Sequence, residues 1–260
     1  MQAHPHLLIL GGTTEARQLA ERLVHLGHDR ITLSLAGRTE QPRPLPVPVR
    51  MGGFGGAEGL AAYLAEKAVD LLVDATHPFA ARISANAEVA AAQTGVPLLV
   101  LRRPGWKAMA GDRWHRVGSI SDAVAALGAR PRRVFLAIGR QEAALFERAP
   151  QHAYLIRSVD PILPPLALPD ARFIEACGPF AEADERALLT THAIDVIVAK
   201  NSGGSATYGK IAAARALGLD VILVDRPPEG AAPVFETVEA ALAAIAHGVS
   251  PPAPAEKRGV

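Results

Sequence analysis

The chain repeats one unit, and that repeat restricts its fold more than any other feature. The segment Asp70–Ala80 (DLLVDATHPFA), continued by Gly95–Pro104 (GVPLLVLRRP), is paralleled by Asp195–Ser205 (DVIVAKNSGGS) and Gly218–Pro227 (GLDVILVDRP). Each copy runs strand, polar turn, Ala-rich helix, second strand and Arg-Pro stop. Val117–Val124 is matched in the same way by Phe235–Leu242, a short strand followed by a helix with Ser119 or Thr237 at its cap. A weaker echo relates Leu10–Ala16 to Ala137–Ala143. The apolar runs Leu7–Leu10, Ile31–Ala36, Leu71–Asp74, Leu98–Leu101, Val134–Ile138, Val196–Ala199 and Val221–Asp225 read as buried strands. They alternate with helical patterns such as Ala57–Lys67, Ala80–Thr94 and Lys210–Leu217. That alternation produces mainly parallel sheets with helices on both faces. The expected fold class is therefore α/β, with two Rossmann-like lobes and an active-site cleft between them. The boundary is expected near Gly128–Arg132, giving domains 1–128 and 129–248 and a disordered tail at 249–260. Because the two halves end alike, the last strand of each fits either sheet.

Composition narrows the function classes. A chain of 260 residues can build two cores. A formal charge of +1 supplies no global attraction to nucleic acid or to a membrane surface, so an anion site must be local. No basic stripe interleaved with aromatics argues for nucleic acid, and no apolar run is long enough to span a bilayer. Cys177 is the only cysteine, which excludes an intrachain disulfide and fits a reducing, cytoplasmic setting. It is expected to be a small buried residue rather than a nucleophile.

The opening strand ends abruptly at Gly11-Gly12, followed by Thr13-Thr14 where a helix should start. Glycines let a ligand approach the backbone, and the free N–H groups of a helix start favour an anion, so this is a phosphate-binding turn. After the second strand comes Ala36-Gly37-Arg38-Thr39. An arginine with a neighbouring hydroxyl in that place suits a 2′-phosphate rather than a bare ribose, so NADP is favoured over NAD. The Gly52–Gly56 run follows a Pro-rich stretch, Gln41–Pro48, and reads as a mobile loop opening the helix at Ala57. Asp74-Ala75-Thr76-His77-Pro78 closes a strand of the first lobe. Asp74 or Thr76 can bond loop backbone, Pro78 can start the next helix, and His77 is within reach of a cofactor, as a ligand or a proton donor. No second His or Cys at ligand spacing makes a zinc site, so no metal is expected.

In the second lobe, Lys200-Asn201-Ser202-Gly203 forms another polar turn at a strand end, and Lys210 opens the next helix. Arg102, Arg103, Arg140 and Arg157 also fall at or near strand ends. Cations recurring at strand ends in a nearly neutral protein point to a polyanionic small molecule.

Taken in order, Leu8–Arg17 (LILGGTTEAR), Asp74–Ala80 (DATHPFA), Leu101–Pro104, Ile138–Arg140, Cys177–Phe180 and Ala199–Gly204 followed by Lys210 resemble the precorrin-6A reductase family of cobalamin biosynthesis. The resemblance covers about Leu7 to Ile245 and implies two Rossmann-like domains. It also implies NADPH-dependent reduction of one ring double bond, giving precorrin-6B. The cofactor site it implies is Gly11, Gly12, Thr13, Thr14, Arg38 and the Asp74–Pro78 turn, with Lys200–Gly203 facing the substrate. Asn201 stands where many relatives are expected to carry an acid, so no proton-transfer role passes to it. A polycarboxylate tetrapyrrole suits the distributed cations, and Lys200 and His77 are the candidate proton donors, with solvent as the alternative. Two other classes remain open. A non-catalytic NADP sensor would not need the cationic strand ends of the second lobe. A transferase with a nucleotide-linked donor would gain nothing from Arg38.

Overall fold

A computed structural model describes residues 4–37 and 44–248. Arg38, on which the expected NADP preference rests, therefore lies outside the described residues, as do Gln41–Arg43 of the Pro-rich stretch and the tail from 249.

The chain divides into two compact units, 1–103 with 228–260, and 104–227. In chain order the first unit holds β1 (Leu7–Leu10), α1 (Thr14–His25), β2 (Ile31–Leu35), β3 (Val49–Met51), α2 (Ala57–Glu66), β4 (Leu71–Asp74), α3 (Ala81–Thr94) and β5 (Leu98–Leu101). The second unit holds β6 (Arg113–Val117), α4 (Ile120–Ala126), β7 (Arg133–Ala137), α5 (Arg140–Ala143), β8 (Ala153–Ser158), β9 (Ala171–Glu175), α6 (Glu182–Thr191), β10 (Val196–Lys200), α7 (Gly209–Leu217) and β11 (Asp220–Val224). The chain then returns to the first unit with β12 (Val234–Phe235) and α8 (Val238–Ala246).

Each unit has a six-stranded sheet. The orders are β3-β2-β1-β4-β5-β12 and β9-β8-β7-β10-β11-β6. Both follow the doubly wound Rossmann order 3-2-1-4-5-6, and the paired strands run parallel. The sixth strand of each sheet is exchanged. β6 follows the first five strands in sequence yet pairs with β11, whereas β12 comes last and pairs with β5. The division thus falls at Arg103/Pro104 and Pro227/Pro228, in the two Arg-Pro stops, and not near 128–132. The expected boundary misplaces the β6–α4 segment, because its sequence mirrors β12–α8 and says nothing about which sheet edge each completes.

The central strands are mainly apolar because both faces are covered, with polar residues such as Asp74, Ser158 and Lys200 at their carboxyl ends. In β1, Leu7 and Ile9 pack with α1 and α8, while Leu8 and Leu10 pack with α2 and α3. The repeat also survives as matched contacts. Asp70 accepts the N–H of His6 ahead of β1, and Asp195 accepts the N–H of Arg133 that opens β7, each at 2.7 Å. Ser119 and Thr237 cap α4 and α8 with bonds of 3.1 Å.

Three expectations need correction. A short strand, β3, does precede Gly52–Gly56, and Arg50 within it ties that loop down by donating to the Gly52 and Gly53 carbonyls at 2.6 and 2.8 Å. Pro78 does not start α3, which begins at Ala81. Cys177 is exposed rather than buried, because it lies in the irregular segment between β9 and α6. No helix among the described residues is long and apolar enough to cross a membrane.

Candidate functional site

In a doubly wound sheet, ligands sit beyond the carboxyl ends of the strands where the strand order reverses. In the first unit that point lies between β1 and β4. The Gly11 N–H is held by the Ser34 carbonyl at 2.9 Å. A Cβ on Gly11 would come within 2.7 Å of the Leu33 side chain. Gly12 has φ +111°, where a side chain is strained, and nothing lies within 4 Å of the position its Cβ would take. The backbone there presents an open face. Thr13 is the N-cap of α1: its hydroxyl accepts from the Ala16 N–H at 3.1 Å and donates to the Ala75 carbonyl at 2.8 Å. One hydroxyl thus clamps the helix start to the turn after β4, and the next N–H groups, those of Thr14 and Glu15, belong to the donor-rich first turn. Glu15 would repel an anion there, but Arg103 pairs with it at 2.7 Å.

Asp74 and Thr76 build this turn from inside. Asp74 is 2 % exposed; it accepts from the Thr76 N–H and hydroxyl at 3.0 and 2.6 Å, and from the Ser84 hydroxyl at 2.6 Å. Arg102, placed by sequence with the substrate cations, belongs to this unit. It is buried 3.8 Å from Asp74, bonds Ser84 at 3.3 Å, and leaves its Nε buried with no hydrogen-bond partner. His77 is half-buried. Its Nδ1 accepts the Phe79 N–H at 3.3 Å, which leaves the proton of the neutral ring on Nε2. Pro78 is buried at the second position of the His77–Ala80 turn, closed by a 2.7 Å bond.

The second unit reverses its strand order between β7 and β10, and an ion pair spans that point. Lys200, at the end of β10, donates to the Glu142 carboxylate on α5. Gly139, the counterpart of Gly12, also has positive φ (+97°), but α5 runs only from Arg140 to Ala143 and has no side-chain cap. Arg140 lies 4.0 Å from Asp160.

The Lys200–Gly204 turn is locked from below. Asn201 accepts from the Trp106 N–H at 2.7 Å and donates to the Trp106 carbonyl at 3.2 Å. A carboxylate could not do both, so the amide suits this position. Arg226, the repeat counterpart of Arg103, donates to the Asn201 and Ser202 carbonyls at 2.8 and 3.0 Å. Trp106 Nε1 donates to the Gly204 carbonyl at 2.8 Å. Gly203, at φ +67°, lies so close to Pro104 that a Cβ would meet its carbonyl oxygen at 2.0 Å.

Behind this turn is a buried charge cluster. Arg157 makes a two-pronged pair with Glu185, at 2.5 and 3.0 Å, and its guanidinium lies 3.7 Å from the Phe180 ring centre and 4.9 Å from that of Phe135. Lys210 is 4 % exposed; its Nζ donates to the Thr207 carbonyl at 2.6 Å and lies 4.8 Å from the Trp106 ring centre. Burial, and then repulsion from Arg157, push Lys210 down to about 7, against a smaller opposing pull from Glu185.

Of the residues expected to meet a ligand, Gly12, Thr14 and His77 present backbone or ring atoms at the strand ends of the first unit. Asp74, Thr76 and Arg102 turn inward there, as Arg157 and Lys210 do in the second unit. Sequence reasoning missed Glu142, Glu185, Trp106 and Arg226. The repeated Arg-Pro stop was a signal for Arg226. Glu185 had none, because it follows Glu182 and Asp184 at a helix start and looks solvated like them.

The fold and the glycine turn define a two-unit α/β protein of the Rossmann kind. The comparisons with known proteins are more specific. The family model for precorrin-6x reductase CbiJ/CobK matches residues 6–246, so the chain belongs to that family. A precorrin-6A reductase of Sinorhizobium sp is 62% identical over 247 residues, covering 95% of each chain. A cobalt-precorrin-6A reductase of Priestia megaterium is 29% identical over 252 residues, covering 93% of this chain and 98% of its own. A solved structure of a CobK precorrin-6A reductase superposes with a TM-score of 0.90 at 50% identity, covering 95% of this chain and 99% of its own.

Proposed function

We propose that this chain reduces one ring double bond of precorrin-6A to give precorrin-6B, with NADPH bound by the first unit and the polycarboxylate macrocycle by the second. The observation that carries the cofactor half is the open backbone at Gly12 beside a Thr13-capped twelve-residue helix, at the strand-order reversal of its sheet. Residues here fit a dinucleotide, since a Cβ at Gly12 would occupy the space a pyrophosphate needs. The second unit supports no equal site. Its corresponding α-helix is four residues long and has no side-chain cap, against twelve residues and the Thr13 cap of α1.

When bound, reduced nicotinamide supplies the hydride. The chain's own residues do the rest. First-turn N–H groups and His77 Nε2–H are donors suited to phosphate or ribose oxygens. Arg38 reads the 2′-phosphate. Lys200 holds a proton at Nζ, kept in place by Glu142, for the carbon next to the one reduced. Identity of 62% to a relative acting on precorrin-6A, against 29% to one acting on cobalt-precorrin-6A, supports the cobalt-free macrocycle.

Fluorescence titration tests the cofactor half. Wild type should bind NADPH at least tenfold more tightly than NADH, and Arg38→Ala should remove most of that difference, consistent with one charge-assisted phosphate contact. Equal affinities in the wild type would favour a nucleotide-donor transferase instead.

A further inference from the structure

The buried cluster behind the Lys200–Thr207 turn holds two basic side chains, Arg157 and Lys210, and one carboxylate, Glu185. Both Glu185 oxygens accept from Arg157, and Lys210 has a neutral carbonyl, Thr207, as its hydrogen-bond acceptor and an aromatic ring as its neighbour. Buried charges are normally paired. Among the described residues, no carboxylate lies within ion-pair distance of Lys210 Nζ.

Resting on the reading that the second unit binds a polycarboxylate, we propose that Lys210 couples substrate binding to protonation: an anion docking on the Lys200–Thr207 turn completes the charge balance, and the complex takes up one proton at Lys210 Nζ. The ligand need not touch Nζ. A carboxylate a few Å away, across low-dielectric protein, favours the ammonium over the amine. Lys210 is in this sense a positioning residue. The charged groups facing it are Arg157 from β8 and Glu185 from α6. Within its own helix, α7, Arg215 turns instead to Asp112, at 2.8 and 3.2 Å, and to the Tyr208 hydroxyl at 2.5 Å. Burial and Arg157 hold the free protein's Lys210 near neutrality, so the proton is absent at mildly alkaline pH and available for uptake.

The test is calorimetric titration of the full chain with precorrin-6A, anaerobically and without nicotinamide, in phosphate and in Tris. The dependence of the heat on buffer ionisation counts protons. Wild type should take up close to one proton per site at pH 8 and little at pH 6. Lys210→Arg, permanently charged, should bind without uptake. Lys210→Met should also lose the uptake and bind about tenfold more weakly. Binding by wild type with no uptake at pH 8, or uptake surviving in both variants, would overturn the inference and leave the function intact. Failure of wild type to bind precorrin-6A at all would overturn both.

Discussion

Replacing Lys210 by methionine is expected to raise the stability of the ligand-free protein at neutral pH by about 2–4 kcal/mol, or roughly 5–10 °C in Tm. Removing a charged side chain should stabilise here because of where its proton sits. The ordinary value of 10.5 holds in the unfolded chain, against about 7 in the folded one. Between those values the unfolded state binds a proton that the folded state does not, so stability rises with pH across the window and the penalty is full below about 7. Tenfold in proton affinity corresponds to ~1.4 kcal/mol, and loss of the Thr207 bond offsets part of the gain. Melting curves at pH 7 and pH 10 check this. The variant should be more stable at pH 7 and nearly level with wild type at pH 10. A variant less stable at pH 7, with the wild-type pH dependence, would show that Lys210 is not held neutral by its surroundings. The expected trade, stability given up for recognition, is the usual mark of a residue kept for function.

Glu185→Gln is expected to have the largest opposite effect, a loss of about 3–5 kcal/mol, because it strands Arg157 as an uncompensated buried charge beside a second base. Urea unfolding measures it. Lys210→Met in the Glu185→Gln background should recover part of the loss beyond its effect alone, since it removes the repulsion that Glu185 no longer offsets. Replacing Arg157 and Glu185 together by apolar residues of similar size should be far milder than Glu185→Gln alone. A loss below about 1 kcal/mol for Glu185→Gln would contradict the pairing.

Most of the central strands were readable because both faces are covered, which makes Leu7–Leu10 and Leu98–Leu101 continuous apolar runs, whereas β8, equally central, was not among the expected strands because Arg157 and Ser158 cut its apolar run short. β3 and β9 were not, because each is an edge strand: Val49–Met51 is three residues long with both end side chains exposed, and Ala171–Glu175 keeps no residue fully buried. The exchange of β6 and β12 was illegible for a different reason. Their sequences are alike, and only pairing partners distinguish them. At the sites, the cations at strand ends stood out, but their partners did not. Glu142 and Glu185 are ordinary acids at helix starts until α5 and α6 are placed, and each then neutralises a cation that looked available to a ligand. What remained readable of the first site was backbone chemistry, because glycine and a capping threonine specify a local conformation that needs no distant partner.

The most direct test of the proposed function is anaerobic turnover of precorrin-6A by the purified full chain, with NADPH and separately with NADH. Cofactor oxidation and the mass of the tetrapyrrole product should be followed together. The expected result is NADPH-selective oxidation, one cofactor consumed per product two hydrogens heavier than substrate, with Lys200→Ala slowing the reaction at saturating substrate. Full turnover by Lys200→Ala would move the proton to His77 or solvent and leave the reductase standing. Tight NADPH binding with no product from precorrin-6A would contradict the reductase reading itself.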